Sequence, residues 1–349
     1  MAGKRLGALG TLVRDTIHLD SSEREPGAGW GGMAYGLEAL EVALPEEWEV
    51  VPLVRVGADL EAEARAYLMG FRRVRSLAGV QVVPEPTNRV EIHYRRDGSR
   101  RERLSGGVPP WPPEEAAART RELDALYVNF ISGFELDPAG AEAIRNAHAG
   151  PIYADLHSLF LSVDTEGYRW PQPLAQRDRW LRSFDAIQVN EDEFRLLAAG
   201  EGDPWVLAAR KARSLLRLVA VTLGSRGAGA IVRETEAAQP LAWRRSATYR
   251  EGERLVRRFA PARGVAGEGG RPGATDPTGC GDVWGATFFA RLLAGDGQRQ
   301  ALNEANRLAG RAATVQGAEG LRRGVSGTDT DSTSGSGAEI PGDPGGRRR

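Results

Sequence analysis

The stretch Gly273–Ala-Thr-Asp-Pro-Thr-Gly-Cys-Gly-Asp-Val-Trp-Gly285 decides the fold. It predicts a loop that runs directly into a helix. Asp276 precedes Pro277 and is pushed towards an extended conformation. Thr278 is placed to cap that helix, its hydroxyl taking up a free backbone N–H. Gly279, Cys280 and Gly281 are small and let another group approach the backbone closely. After Asp282 the chain is uncharged and mostly apolar as far as Ala290, which predicts a buried helix with Gly-Cys-Gly-Asp in its first turn. Free N–H groups and the helix dipole at such an end make a site for a phosphate or another anion. The same dipole should hold the Asp282 carboxylate ionised and make it a weak base. The alternative is a glycine-rich helix start with a capping Asp.

Working outward, 349 residues are enough for two domains, or for one α/β domain with an insertion. Hydrophobic residues at 41% and charged residues at 27% are globular values, and a net charge of −1 gives no footprint for nucleic acid or a membrane surface. Cys280 is the only cysteine, so no intrachain disulfide can form. With no apolar signal segment and no run long enough to span a bilayer, the expectation is a cytoplasmic protein.

Residues 4–11 predict a first strand and residues 12–20 a second, half-exposed one, with Asp15 near the junction. Gly27-Ala-Gly-Trp-Gly-Gly32 matches GxGxxG, which would suit a nicotinamide oxidoreductase. That motif must come straight after a core strand, however, and the preceding Asp20–Pro26 is polar. The Gly31-Gly32 pair is therefore read at a helix start. Further along, 49–56 and 80–83 are strands, and Asp59 reads as an N-cap. Residues 88–104 alternate on either side of Asp97-Gly98, a hairpin signal. Residues 152–157 form a strand ending in Asp155-Leu-His157. Asn190-Glu-Asp-Glu193 has capping-box spacing at the junction of a strand and a helix. Residues 218–232 read as strand, turn, strand, with Thr222, Gly224 and Gly227 at the turn. Residues 301–316 form a last amphipathic helix carrying Asn306. From Arg322 onwards the composition predicts a disordered tail. No GxxxxGK[ST] loop exists, so a nucleotide would be held without a Walker lysine.

Residues Asp276–Asp282 resemble the second signature of the ribokinase (PfkB) family of small-molecule kinases, Asp-x-Thr/Asn-Gly-Ala-Gly-Asp, with Cys280 in the place of Ala. The resemblance implies a doubly wound, mostly parallel α/β sheet flanked by helices, with a small β-sheet lid from segments 12–25 and 88–104. The kinase domain would span residues 1–321. It implies ATP-dependent phosphorylation of a hydroxyl on a sugar, nucleoside or related polyol, with Mg2+ as cofactor and K+ in some members. Gly279, Cys280 and Gly281 would form the anion hole, and Asp282 would be the base. Asp276 would lie near a monovalent cation. Glu193, with Asn190, would hold magnesium through water. Thr222, Gly224, Gly227 and Asn306 would border the nucleotide, while Asp15, Gly31 and Gly32 would meet the substrate. A homodimer through the lid is also allowed. Met33-Ala-Tyr35-Gly36 lacks the family's sugar-contacting Asn, and His157 stands where the family has Asn. A non-catalytic sugar- or nucleotide-binding protein on the same fold is therefore the alternative. At the helix mouth the Cys280 thiol is expected to have a lowered pKa.

Overall fold

The computed structural model describes residues 3–19, 27–94, 100–233, 239–243, 254–262, 277–315 and 317–322. Asp20–Pro26 of the lid, the Asp97-Gly98 turn, Asp276 and the chain beyond Arg322 lie outside the described residues.

The chain opens on β1 (Lys4–Leu19), β2 (Gly27–Gly32), α1 (Met33–Ala43), β3 (Trp48–Gly57), α2 (Glu61–Met69) and β4 (Val80–Val83). The lid hairpin comes next as β5 (Arg89–Tyr94) and β6 (Arg100–Ser105). After it lie α3 (Pro113–Thr120), β7 (Ala125–Asn129), α4 (Pro138–Ala147), β8 (Ile152–Asp155), β9 (Leu161–Val163), β10 (Arg169–Pro171) and α5 (Arg177–Arg182). The last part carries β11 (Ala186–Asn190), α6 (Glu191–Leu197), α7 (Pro204–Ser214), β12 (Leu218–Thr222), β13 (Ala228–Arg233), β14 (Leu255–Ala260), α8 (Cys280–Leu293) and α9 (Gln298–Ala312).

The main sheet runs β14-β13-β12-β11-β8-β7-β1-β3-β4. From β12 to β4 all neighbours are parallel, and β13 and β14 close one edge antiparallel. The central strands are apolar on both faces, as a sheet covered on both sides requires. Along β7 the alternation sorts the core. Ala125 and Tyr127 pack with α1, α8 and α9, while Leu126 and Val128 pack with the side of α3 to α7. Strand order reverses between β1 and β7, so the crevice at the carboxyl ends of these strands is where a doubly wound sheet binds ligands.

The two strands expected over residues 4–20 are one. Residues Lys4–Thr11 of β1 pair with β3 in the main sheet, and from Leu12 onwards the same strand pairs with β2 and β5 in the lid. The lid is thus continuous with the core of the sheet. Its inner face closes an apolar cluster of Val13, Ile17, Val90, Ile92 and Ile131. Gly27–Gly32 is itself an antiparallel lid strand, not a loop after a core strand, so the dinucleotide reading of GxGxxG has no structural counterpart. Asp59 does not cap a helix. Its carboxylate accepts from Thr87 N and Oγ1, both at 2.8 Å, and from Arg89 Nη2 at 2.7 Å, tying down the root of the lid. Arg322 belongs to the folded body: Nη1 donates to Gly70 O at 2.7 Å, and the guanidinium lies over the Phe71 ring. No helix among the described residues is long and apolar enough to cross a membrane.

Candidate active site

Four consecutive parallel strands end on a polar residue: Asn129, Asp155, Asn190 and Thr222. The ladder registers Asn129 against Asp155 and Asn190 against Thr222, so the four form a row along the carboxyl edge of the sheet. The first turn of α8 sits over this row. Between them lies a cleft of about 650 Å³ that takes in Asp155, Asn190, Glu193, Thr222, the Gly279–Asp282 turn and Asn306.

The helix mouth is open. Gly281 has free space where a side chain would begin, with nothing within 4 Å of a built Cβ. Gly279 is the N-cap at φ +75°, and a Cβ there would lie 2.3 Å from the Tyr35 ring. Left-handed backbone and contact with an aromatic face both demand glycine at that position. Thr278 does not cap α8. Its hydroxyl shares a 3.0 Å hydrogen bond with Tyr94 of the lid, and the αL conformation of Gly279 takes over the turn into the helix. Cys280 is half-buried on the cleft wall, its Sγ 3.6 Å from Ala309 O.

Asp282 lies half-buried at the cleft floor and accepts from Asn129 Nδ2 at 2.7 Å. Burial pushes its carboxyl pKa above the ordinary value, against the lowering pull of Asn129 and of the His157 and Arg100 charges. The weak base expected from the sequence rests on the helix dipole alone and leaves out this burial, which favours the protonated form. Behind it, Asp155 is buried with its pKa well raised, by burial and by the charges of Asp282 and Glu193. Gln188 Nε2 donates both to Asp155 Oδ2 at 2.8 Å and to Gly281 O at 3.0 Å, tying the sheet edge to the helix mouth.

The capping box forms. Asn190 Oδ1 accepts from Asp192 N and Glu193 N, and Glu193 Oε2 accepts from Asn190 N at 2.8 Å. Glu193 Oε1 also accepts from Asn190 Nδ2 and from His157 Nδ1, each at 2.6 Å. Burial alone would lower the His157 pKa, but the charge and hydrogen bond of Glu193 hold it up at about 9. Both oxygens of Glu193 are engaged, which suits an outer-shell role towards a hydrated cation.

Other expected residues fall differently. Thr222 and Gly224 border the cleft, and Gly224 is open to it. Gly227 also borders it, at a turn pressed against Ala260 O. Asn306 lines the cleft, yet its amide is used within the protein. It accepts from Trp284 Nε1 at 2.8 Å and donates to Ala260 O at 2.9 Å and Pro261 O at 3.0 Å, pinning α8, α9 and β14 together. Asp15, Gly31 and Gly32 are not among the residues lining this cleft. They cluster on the lid, where Asp15 is buried over Gly31 and a Cβ on Gly31 would overlap the Asp15 carboxylate.

Sequence reasoning missed Asn129, Gln188 and Arg100. Arg100 reaches the cleft from the lid strand β6. Its Nη2 lies 2.8 Å from Glu102 Oε1, and Glu102 Oε2 lies 3.6 Å from Nη1 of the buried Arg169. Arg169 in turn donates to Ile131 O and Ser132 O, so a charged chain anchors the lid arginine to the core.

No protein-family model and no curated protein sequence matches the chain. Solved structures do. A Burkholderia thailandensis nucleoside kinase in complex with inosine is similar at TM-score 0.66 and 16% identity, over 91% of this chain and 94% of that one. Arabidopsis thaliana ribokinase complexed with ribose and ATP is similar at TM-score 0.64 and 19% identity, over 93% and 98%. A pyrophosphate-dependent kinase in the ribokinase family, complexed with a pyrophosphate analog and myo-inositol, is similar at TM-score 0.63 and 16% identity, over 91% and 99%. A mostly parallel sheet and overlap with these structures over 91% and 93% of the chain give one conclusion: the chain has the ribokinase-like fold.

Proposed function

We propose that the protein is an ATP-dependent kinase that phosphorylates an alcohol on a sugar, nucleoside or related polyol. The observation that carries this reading is the position of the Asp282 carboxylate, at the floor of the cleft in the first turn of an open, glycine-lined helix mouth.

Phosphoryl transfer is catalysed mostly by positioning and charge stabilisation. The acceptor hydroxyl would lie against Asp282, which takes its proton as the oxygen bonds to phosphorus and the bond to the nucleotide diphosphate breaks. The N–H groups at Gly279, Cys280 and Gly281 would receive charge on the transferring group. Arg100 and protonated His157 place positive charge on the same side. Small residues, Gly224 on one wall and Ala309 and Ala313 on another, leave room for a flat base. Glu193, whose carboxylate already accepts from Asn190 and His157, would reach magnesium only through the ion's water, and the ion would offset charge on the donor phosphates. Asp15, Gly31 and Gly32, on the lid strands, are proposed on the acceptor side. A potassium ion near Asp276 remains part of the proposal.

The test is a screen of sugars, nucleosides and inositols with ATP, and separately with pyrophosphate, for acceptor-dependent donor consumption. ADP formed with one acceptor class supports the reading. Tight ATP binding with no turnover on any acceptor would favour a non-catalytic binding protein instead.

A further inference from the structure

We propose that the outer face of the lid carries a divalent transition-metal site, ligated by His18, Glu91 and His93, that takes Zn2+ or a similar borderline ion.

His18 on β1 and His93 on β5 are direct neighbours in the parallel ladder. Their rings stack with centroids 4.1 Å apart and planes 5° from parallel. Each Nε2 lies 3.2 Å from the same oxygen, Oε1 of Glu91. One ligand atom from each residue lies within 4.8 Å of the others. Around a tetrahedral zinc, with bonds of about 2.0–2.2 Å, neighbouring nitrogen and oxygen ligands stand roughly 3.3 Å apart. The two nitrogen–oxygen edges therefore already have the length that a bound ion would impose.

The partners of these atoms point the same way. The His18 Nε2 atom is buried, and its contact with Glu91 lacks the alignment of a hydrogen bond, so among the described residues it has no hydrogen-bond partner. Arg103 and Arg101 stand opposite Glu91 and His93 on β6. Both are drawn elsewhere: Arg101 lies over the Tyr168 ring at 3.7 Å, and Arg103 Nε donates to Glu166 O at 2.8 Å. Among the described residues, the ion-pair contacts of Glu91 are with the two imidazoles alone. Stacked rings aim their in-plane lone pairs along parallel planes, so taking one ion requires one imidazole to turn about its ring torsion, and His93 is the more exposed of the two. Two nitrogens and one carboxylate suit Zn2+, Co2+ or Ni2+ and not Mg2+.

The site is distinct from the catalytic cleft. Ile17, Val90 and Ile92 turn to the apolar inner face, so the alternating residues His18, Glu91 and His93 share the other face. A bound ion would cross-link β1 to β5, the adjacent strands at the centre of the lid.

The test titrates the full metal-free chain with Co2+ in a large excess of Mg2+, reading stoichiometry and visible absorption. One equivalent bound, with the intense bands of tetrahedral cobalt and displacement by Zn2+, is expected. The His18→Ala/His93→Ala variant should lose this signal. Glu91→Gln keeps the shape of the side chain and covers the case in which the double variant fails to fold. It should weaken binding by about a hundredfold or more, since losing even an outer-shell partner costs tens-fold. No bound cobalt in the parent protein overturns the proposal. So does an unchanged signal in folded variants, which would place the ion elsewhere, for example near His157 and Glu193.

Discussion

Asn129, the last residue of β7, donates from Nδ2 to Oδ1 of Asp282 across 2.7 Å and joins the sheet edge to the first turn of α8. The bond favours the ionised carboxylate, while burial favours the protonated one. Asn129 thus acts as a positioning residue that keeps the proposed base available.

Replacing it tests that role. Asn129→Leu should lower turnover roughly ten- to a hundredfold at neutral pH, the scale of a general-base contribution. It should also move the acid limb of the kcat/KM profile to higher pH, because the group that lowers the Asp282 pKa has gone. Part of the lost activity should return in alkaline buffer. A uniform loss at every pH would mean that Asn129 only supports the fold.

The two glycines of the helix mouth should respond in opposite ways. Gly279→Ala forces a side chain into αL backbone and into the Tyr35 ring, so it should destabilise the protein by about 1–3 kcal/mol or more. Gly281 has no positive φ and open space beside it. Gly281→Ala should keep or slightly raise the melting temperature, since Ala suits a helix better, yet place a methyl group where the phosphoryl group is proposed to sit. Turnover should then fall by at least about tenfold, the scale of losing oxyanion-type donors. Full activity in a stable Gly281→Ala protein would argue against phosphate at this mouth.

His157 gives a stability prediction with a defined sign. Its folded pKa is held up to about 9, against 6.5 for the free group, because Glu193 outweighs burial. The stabilisation is fully present below the unfolded value and disappears as pH rises through about 9. His157→Gln should therefore be less stable than the parent by on the order of 2 kcal/mol near about pH 6, with a much smaller gap near about pH 10. Urea unfolding of both proteins at the two pH values reads this directly. An equal gap at both would show that the imidazolium contributes nothing special.

Particular residues show how much of this was legible beforehand. The α8 stretch, the Asn190–Glu193 capping box and the Thr222–Gly227 turn are local patterns, and each forms where the sequence put it. Asn129 and Gln188 were missed because one polar residue in or at the end of an apolar strand has no local mark. Their meaning comes from ladder register and from contacts 153 and 93 positions away. Arg100 was hidden for a similar reason: an alternating basic hairpin looks solvated until the lid folds over. Local logic also misread Thr278, a good capping residue whose hydroxyl instead joins Tyr94 of the lid. The single strand over Lys4–Leu19 looked like two because its alternation changes where it passes from the doubly covered sheet to the half-exposed lid.

The most direct measurement is steady-state turnover of Asp282→Asn beside its affinity for ATP. The amide keeps the size of the side chain and removes its capacity to take a proton. Turnover is predicted to fall by about two to four orders of magnitude, with ATP affinity nearly unchanged. An Asp282→Asn enzyme that phosphorylates its acceptor at close to the parent rate would contradict the assignment of Asp282 as the base.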